Sequence, residues 1–292
     1  MLKRIILTAS ALSLLTVPVI GGESDTDKVK QTAKDGIIDR IQGFVGGLGD
    51  RLESDSIKHV DLSLVEEDWV VGGEATAVIR LDETGNRATF SQLSVSRLDG
   101  RTTANVGIGI RQLSDDEAQI YGGNLFYDHE FSGKHARIGV GLEYLTSSGS
   151  LRANHYMRSS GEKIYKGVRE KALNGTDLKY SYAFGTLYSP VVSYRAFRWK
   201  GDAGYKLKGR EADVTLSFNE RLALTLSNRD DDKSKAENKA KLTYSLKLAI
   251  DSAGEVVDAG PQSVRHMLYT PVQRENRIRK SRIVLGLVMG TY

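Results

Sequence analysis

A period of two runs through most of this 292-residue chain. In His135–Tyr144, Ile138, Val140, Leu142 and Tyr144 alternate with Arg137, Gly139, Gly141 and Glu143. Successive side chains point to opposite faces only in an extended strand, so this stretch reads as neither helix nor coil. Tyr121–Phe131 before it alternates in the same way, and Ser132-Gly133-Lys134 between them reads as a short polar turn.

From Ile57 onward the pattern marks twelve strands. Val60, Leu62 and Leu64 share one face, and so do Ala75, Ala77 and Ile79 on the next strand. Leu93 and Val95 oppose Gln92, Ser94 and Ser96; Val106, Ile108 and Ile110 oppose Asn105, Gly107, Gly109 and Arg111. The alternation continues through Leu151–Arg158, Asp177–Phe184, Val192–Ala196, Glu211–Phe218 and Leu222–Ser227, and ends with Lys239–Leu248. Turn residues separate the strands, among them Asp99-Gly100, Ser189-Pro190 and Asp230-Asp231-Asp232. Ser159–Leu173 is the longest gap and reads as a loop.

Twelve half-apolar strands suit either a soluble sandwich or barrel, or a transmembrane barrel with its apolar faces in lipid. Three features favour the membrane. The strands have the roughly 9–11 residues that a tilted crossing requires. Tyr144, Tyr180, Phe184 and Phe218 cluster at strand ends on the apolar face, where an aromatic girdle belongs. The strand number is even, and the N-terminus carries an export pattern. Met1–Arg4 is basic, Ile5–Ile20 is apolar and Gly21-Gly22 follows, which is the layout of a signal peptide over residues 1–22. Residues 23–56 then read as a periplasmic helical segment, with Val29, Ala33, Ile37, Ile41, Phe44 and Leu48 at helical spacing. The expected division continues with a barrel over 57–249 and a basic linker tail over 250–292.

With apolar faces toward lipid, the opposite faces line a lumen. Its charged lining is expected to be Arg111, Arg137, Glu143, Arg152, Asp177, Lys179, Arg195, Glu211, Asp213, Lys239 and Lys241. A periplasmic N-terminus puts the loops after odd-numbered strands outside, including Asp99-Gly100, the turn at Ser132 and Ser159–Leu173. Asp128-His129-Glu130 then approaches an external turn, and its carboxylates read as organising a loop and lining the pore.

Several of these stretches carry a family resemblance. Ser96–Thr103, Gly107-Ile108-Gly109, Gly123–Phe131, Arg137–Glu143, Asn174–Asp177 and Pro271–Ile278 are similar to the β-domain of inverse autotransporters, the intimin and invasin group. The likeness covers roughly residues 57–282. It implies a twelve-stranded outer-membrane barrel whose linker returns through the lumen toward a surface-exposed passenger, the part that adheres. It also implies outer-membrane lipid, the barrel-assembly machinery and periplasmic chaperones as partners, a monomer, and no nucleic acid or cofactor. Only Arg282–Tyr292 follows the linker here, too short for an adhesive domain, so the expectation is an anchor without its payload. The alternative is a stand-alone pore or barrel enzyme.

The tail from Arg265 to Arg282 holds Arg274, Arg277, Arg279 and Lys280 against one acid, Glu275, with Asn276 among them. Threaded through a lumen, it is expected to find Glu143, Asp177, Glu211 and Asp213. Two other placements stay open: a disordered periplasmic tail, or Ile283–Tyr292 as a further strand with Tyr292 as an assembly signal.

Cysteine is absent, which excludes disulfides and Cys-based zinc sites. The histidines at 59, 129, 135, 155 and 266 show no metal-ligand spacing, and His129 and His135 read as loop structure. No nucleophile elbow or phosphate loop occurs. The formal charge of +4 comes from interspersed Lys and Arg and is a weak pointer to nucleic acid. No catalytic, metal or cofactor site is expected.

Overall fold

The computed structural model describes residues 56–67, 69–185, 189–246, 263–284 and 287–291. The expected signal peptide and all but the last residue of the 23–56 helical segment lie outside them.

Among the described residues fourteen strands precede the tail: β1 (Ile57–Glu67), β2 (Val70–Thr84), β3 (Arg87–Leu98), β4 (Arg101–Leu113), β5 (Gln119–Glu130), β6 (His135–Thr146), β7 (Gly149–Arg158), β8 (Lys163–Tyr165), β9 (Val168–Ala172), β10 (Asn174–Ala183), β11 (Val191–Lys200), β12 (Lys206–Ser217), β13 (Leu222–Asp231) and β14 (Glu237–Leu246). All except β8 and β9 form one closed antiparallel barrel of twelve strands, as the alternation predicts. Each strand pairs with its neighbour in sequence, β7 pairs with β10 across the β8–β9 excursion, and β1 closes the ring against β14 from Val60↔Leu246 to Glu67↔Lys239. Closure removes every free edge, which a sheet in lipid must do because no water is there to satisfy it.

Burial alternates along β3, β4, β6, β7 and β11 as the sequence does. On β4, Asn105, Gly107, Gly109 and Arg111 are buried while Val106, Ile108 and Ile110 are exposed. On β6 the exposed row includes Leu142 at 69%. Exposed Val, Ile, Leu and Tyr continue around β5, β7, β10, β11 and β13, an apolar surface that only lipid covers without cost. Tyr144, Tyr180, Phe184 and Phe218 all lie exposed toward the end that carries the β6–β7, β10–β11 and β12–β13 turns, here called the near end.

The inner wall contains rings that alternation alone did not single out. Phe126 stands across from Gly107, Phe90 from Gly109 and Trp199 from Gly175. A Cβ on Gly107 would fall 2.4 Å from the Phe126 ring, and one on Gly175 2.1 Å from Trp199, so these glycines clear the space in which a ring lies flat over the neighbouring strand. At the far end, the tips Asp99-Gly100, Lys166-Gly167 and Ala203-Gly204 each place two consecutive residues at positive φ, as tight hairpin turns require.

Ser159–Leu173 is not the plain loop expected. It contains the β8–β9 hairpin, and the tail strands β15 (Lys280–Val284) and β16 (Leu287–Thr291) join it in a four-stranded sheet of order β16-β15-β9-β8. Ile283–Tyr292 therefore supplies no further barrel strand. Pairing of Arg282 with Glu170 and of Lys280 with Ala172 takes this part of the chain to the far end instead.

Candidate functional site

The site is the lumen, and the tail occupies it. At the near end, Val264 and Leu268 pack against Ala88, Leu113, Ile120 and Leu145. The β4–β5 turn fixes this start: the Val264 N–H donates to the Glu117 carbonyl at 2.8 Å, and the Glu117 carboxylate accepts from Ser263 at 2.7 Å and Arg265 at 2.8 Å. These hydrogen bonds hold the Glu117 carboxyl below its usual range.

Further in, Arg111 serves the tail backbone. It donates to the carbonyls of Met267, Leu268 and Thr270 at 3.2, 2.9 and 2.7 Å, while its other nitrogens pair with Glu143 at 2.9 Å. Arg152 reaches the same carboxylate at 3.3 Å. Gln92 accepts the Val272 N–H at 2.7 Å. Arg137 repeats the role of Arg111 one level on, pairing with Asp128 and donating to the carbonyls of Glu275 and Arg277 at 2.6 and 3.2 Å. Tail carbonyls thus find donors that a buried backbone needs.

The tail's own charges are met separately. Both terminal nitrogens of Arg274 reach Asp128 at 2.7 Å. Arg277 bonds Glu67 at 2.8 Å, Asn276 donates to Glu74 at 2.6 Å, and Lys280 pairs with Glu130. Glu275 receives Arg195 at 3.3 Å and Arg279 at 3.2 Å, and its N–H donates to the Tyr156 hydroxyl, which in turn donates to Asp177.

These pairings correct one expectation. Among the described residues no tail cation pairs with Glu143, Asp177, Glu211 or Asp213. Wall side chains already occupy them: Arg111 and Arg152 hold Glu143, Asn154 and Tyr156 donate to Asp177 with Arg195 at 3.7 Å, Arg195 holds Glu211 at 2.6 Å, and Lys179 holds Asp213 at 2.8 Å. Arg152 and Arg195 are direct cross-strand neighbours of their carboxylates, the shortest reach available on a sheet. The tail instead finds other acids that alternation also turns inward, namely Glu67, Glu74, Asp128 and Glu130.

The tail is seated to one side. Its backbone lies on β3–β7, and a cavity of about 500 Å³ remains toward β1, β2 and β11–β14, lined by Lys239, Lys241, Arg229, Glu74, Glu211 and Asp213 among others. Lys241 pairs with Glu74 at 2.9 Å across it.

The far mouth carries a buried ion cluster. Arg101 at the start of β4 bridges Glu130 at 2.6 Å and Glu170 of β9 at 2.8 Å, and its guanidinium lies 4.2 Å over the Tyr165 ring. His135, expected as loop structure, is instead the first residue of β6 and fully buried, 3.7 Å from Glu170. Burial alone would raise the Glu170 carboxyl, but His135, Arg101 and Lys280 outweigh it and hold it below the usual range. Leu173 donates its N–H to the Arg279 carbonyl at 2.8 Å, tying the hairpin's return to the emerging tail. His129 faces outward between the rings of Tyr127 and Phe131.

Sequence comparison covers the same region. The family model "Inverse autotransporter, beta-domain" matches residues 23–276. A putative attaching and effacing protein homolog of Escherichia coli K12 is 38% identical over 100 residues, 33% of this chain and 34% of that protein. Invasin of Yersinia enterocolitica is 36% identical over 92 residues, 30% of this chain and 11% of its own length. Intimin of Escherichia coli O157:H7 is 36% identical over 95 residues, 32% and 10% respectively. The aligned stretches span about a third of the first relative and about a tenth of the other two. Among solved structures, a chain from a study of the in-meso crystallization of membrane proteins superposes with a TM-score of 0.68 over 77% of this chain and 99% of its own, at 18% identity, a likeness of fold. The match over residues 23–276 places this chain in the inverse autotransporter β-domain family, and its barrel in the bacterial outer membrane.

Proposed function

We propose that this barrel anchors and displays on the cell surface whatever its tail carries, after letting the tail pass through its own lumen. The observation that carries the reading is the path of residues 263–284. They enter beside Glu117 at the near end, run past Arg111, Asp128 and Arg137, and leave beside Glu130 to pair with β9. A wall that satisfies the backbone carbonyls of its occupant through Arg111 and Arg137, and meets the tail's charges at Asp128, Glu67 and Glu130, holds this chain along the whole lumen. In this reading residues 1–22 direct export, residues 23–56 stay in the periplasm, and periplasmic chaperones and the barrel-assembly machinery insert a monomeric barrel. The near end faces the periplasm. The barrel holds and passes chain and carries out no chemistry of its own.

The chain has no cysteine, so single cysteines report topology cleanly. Lys166→Cys at the β8–β9 tip and Thr291→Cys on β16 are expected to react with a membrane-impermeant maleimide on intact cells. Glu220→Cys, in the β12–β13 turn, is expected to react only after permeabilisation. The opposite pattern sinks the reading. A second reading, a stand-alone pore, draws on the cavity beside the tail. Appreciable conductance with the tail in place would favour it.

A further inference from the structure

One patch on the outside of the barrel carries charge that the fold leaves unused. On β11 the outward row runs Val192, Tyr194, Ala196 and then Arg198 and Lys200; on β12 it runs Lys206, Lys208 and Arg210 and then Ala212 and Val214. All five cations are exposed. Register sets them against each other: Arg198 is opposite Lys208, and Lys200 is opposite Lys206. Like charges directly opposite on one face destabilise an antiparallel pair unless something neutralises them. The surroundings offer little. Among the described residues Arg210 is the one member of the five with a side-chain ion pair, to Asp230 at 3.3 Å. Asp232 accepts the Lys208 backbone N–H at 2.9 Å, and on the other flank Arg198 and Lys200 face Thr176 and Asn174.

The patch lies at the far end, directly above the lipid-facing band, and that band is short here. On β13 the outward apolar row covers Leu222 to Leu226 before Asn228, about 13 Å of strand, whereas on β5 it extends from Tyr121 to Tyr127 before His129, about 20 Å. On this side the headgroup layer must come down toward the sheet, and Lys and Arg stems are long enough to meet it while their methylenes stay in lipid.

We propose that this patch binds the phosphate groups of an outer-leaflet glycolipid, a lipopolysaccharide-type headgroup with more than one phosphate. Opposed cations lie about 5 Å apart across the strands, and successive outward residues about 7 Å apart along them. Two phosphates, one between each opposed pair, relieve both repulsions, and Arg198 is suited to grip one through two parallel N–H bonds. The inference rests on the outer-membrane placement of the barrel and on the proposed orientation, with the near end toward the periplasm.

The test uses the full chain folded in detergent micelles, with bisphosphorylated lipid A as the probe. The combined variant Arg198→Gln, Lys200→Gln, Lys206→Gln, Lys208→Gln is expected to bind it at least tenfold more weakly than the wild type. The pair Lys163→Gln, Lys166→Gln at the hairpin tip is expected to bind it unchanged. Removing both phosphates from the glycolipid is expected to cost the wild type a similar factor. Equal affinity in the quadruple variant, equal binding of the dephosphorylated glycolipid, or full displacement of the lipid by a matching concentration of inorganic phosphate each overturns the proposal. Should the quadruple variant not fold, the phosphorylated and dephosphorylated lipids on the wild-type barrel decide alone. Heat-modifiable migration of the wild type reports on the barrel separately, so the two readings fail apart.

Discussion

Arg274 of the tail grips Asp128 on β5 with both terminal nitrogens, each at 2.7 Å, and both side chains are almost wholly buried. The same carboxylate holds Arg137 from the adjacent strand. Asp128→Asn would leave two buried guanidinium groups short of their counter-charge, and breaking such a pair typically costs about 3–5 kcal/mol. The loss falls on the seating of the tail rather than on strand pairing. Limited proteolysis is expected to cut the tail of this variant while the barrel keeps its heat-modifiable migration. A tail as resistant as in the wild type would count against Asp128 as its anchor.

Removing everything after Ser252 tests whether the tail obstructs the lumen. In planar bilayers or liposomes the shortened barrel is expected to conduct substantially better than the full chain. Unchanged conductance would mean that the lumen is not closed by these residues.

Gly107 and Gly175 give way to rings on the neighbouring strands. Gly107→Ala and Gly175→Ala would push Phe126 and Trp199 off the wall, and overpacking of this kind usually costs about 1–3 kcal/mol. A Cβ on Gly123 finds no neighbour closer than 4.0 Å, so Gly123→Ala is expected to stay within about 0.5 kcal/mol of wild type. Urea midpoints for refolding into micelles would separate the two classes, and equal midpoints would remove the steric explanation.

The mouth cluster has a directional pH dependence. Glu170 in the folded chain has a pKa below the unfolded carboxylate's, about 4.3. Its contribution is therefore fully present above that value and is lost as pH falls through the lower, folded one. Hydrogen exchange of β8 and β9 is expected to accelerate in that acid window, and Glu170→Gln is expected to show the faster exchange already at neutral pH. Protection of the hairpin that stays flat down to pH 3 would contradict this.

The twelve crossings were legible because each strand shows its period within ten or so residues, as Ile138 to Tyr144 do. The inward charges followed from the same alternation. What escaped depends on partners far apart in sequence. Ser159–Leu173 read as a loop because β9 finds its second neighbour in Lys280–Ile283, more than a hundred residues on. The tail's counter-ions were misjudged because alternation places a carboxylate inside without saying which cation reaches it first, and Arg195 stands opposite Glu211 on the adjoining strand. Phe126 and Trp199 were not singled out as inward because a ring over a glycine is visible only once register pairs Phe126 with Gly107 and Trp199 with Gly175.

The route of the tail has a mechanical consequence. A pull applied at β16 runs through β15 into the barrel along its axis, against Lys280–Glu130, then Arg277–Glu67, then Arg274–Asp128. These contacts and the carbonyl grips of Arg137 and Arg111 resist together in shear, whereas the β15–β9 ladder offers a few hydrogen bonds at the far mouth. Load applied at the far end is thus borne by buried ion pairs spread along the lumen, and the strand pairs that close the ring are spared until those have slipped.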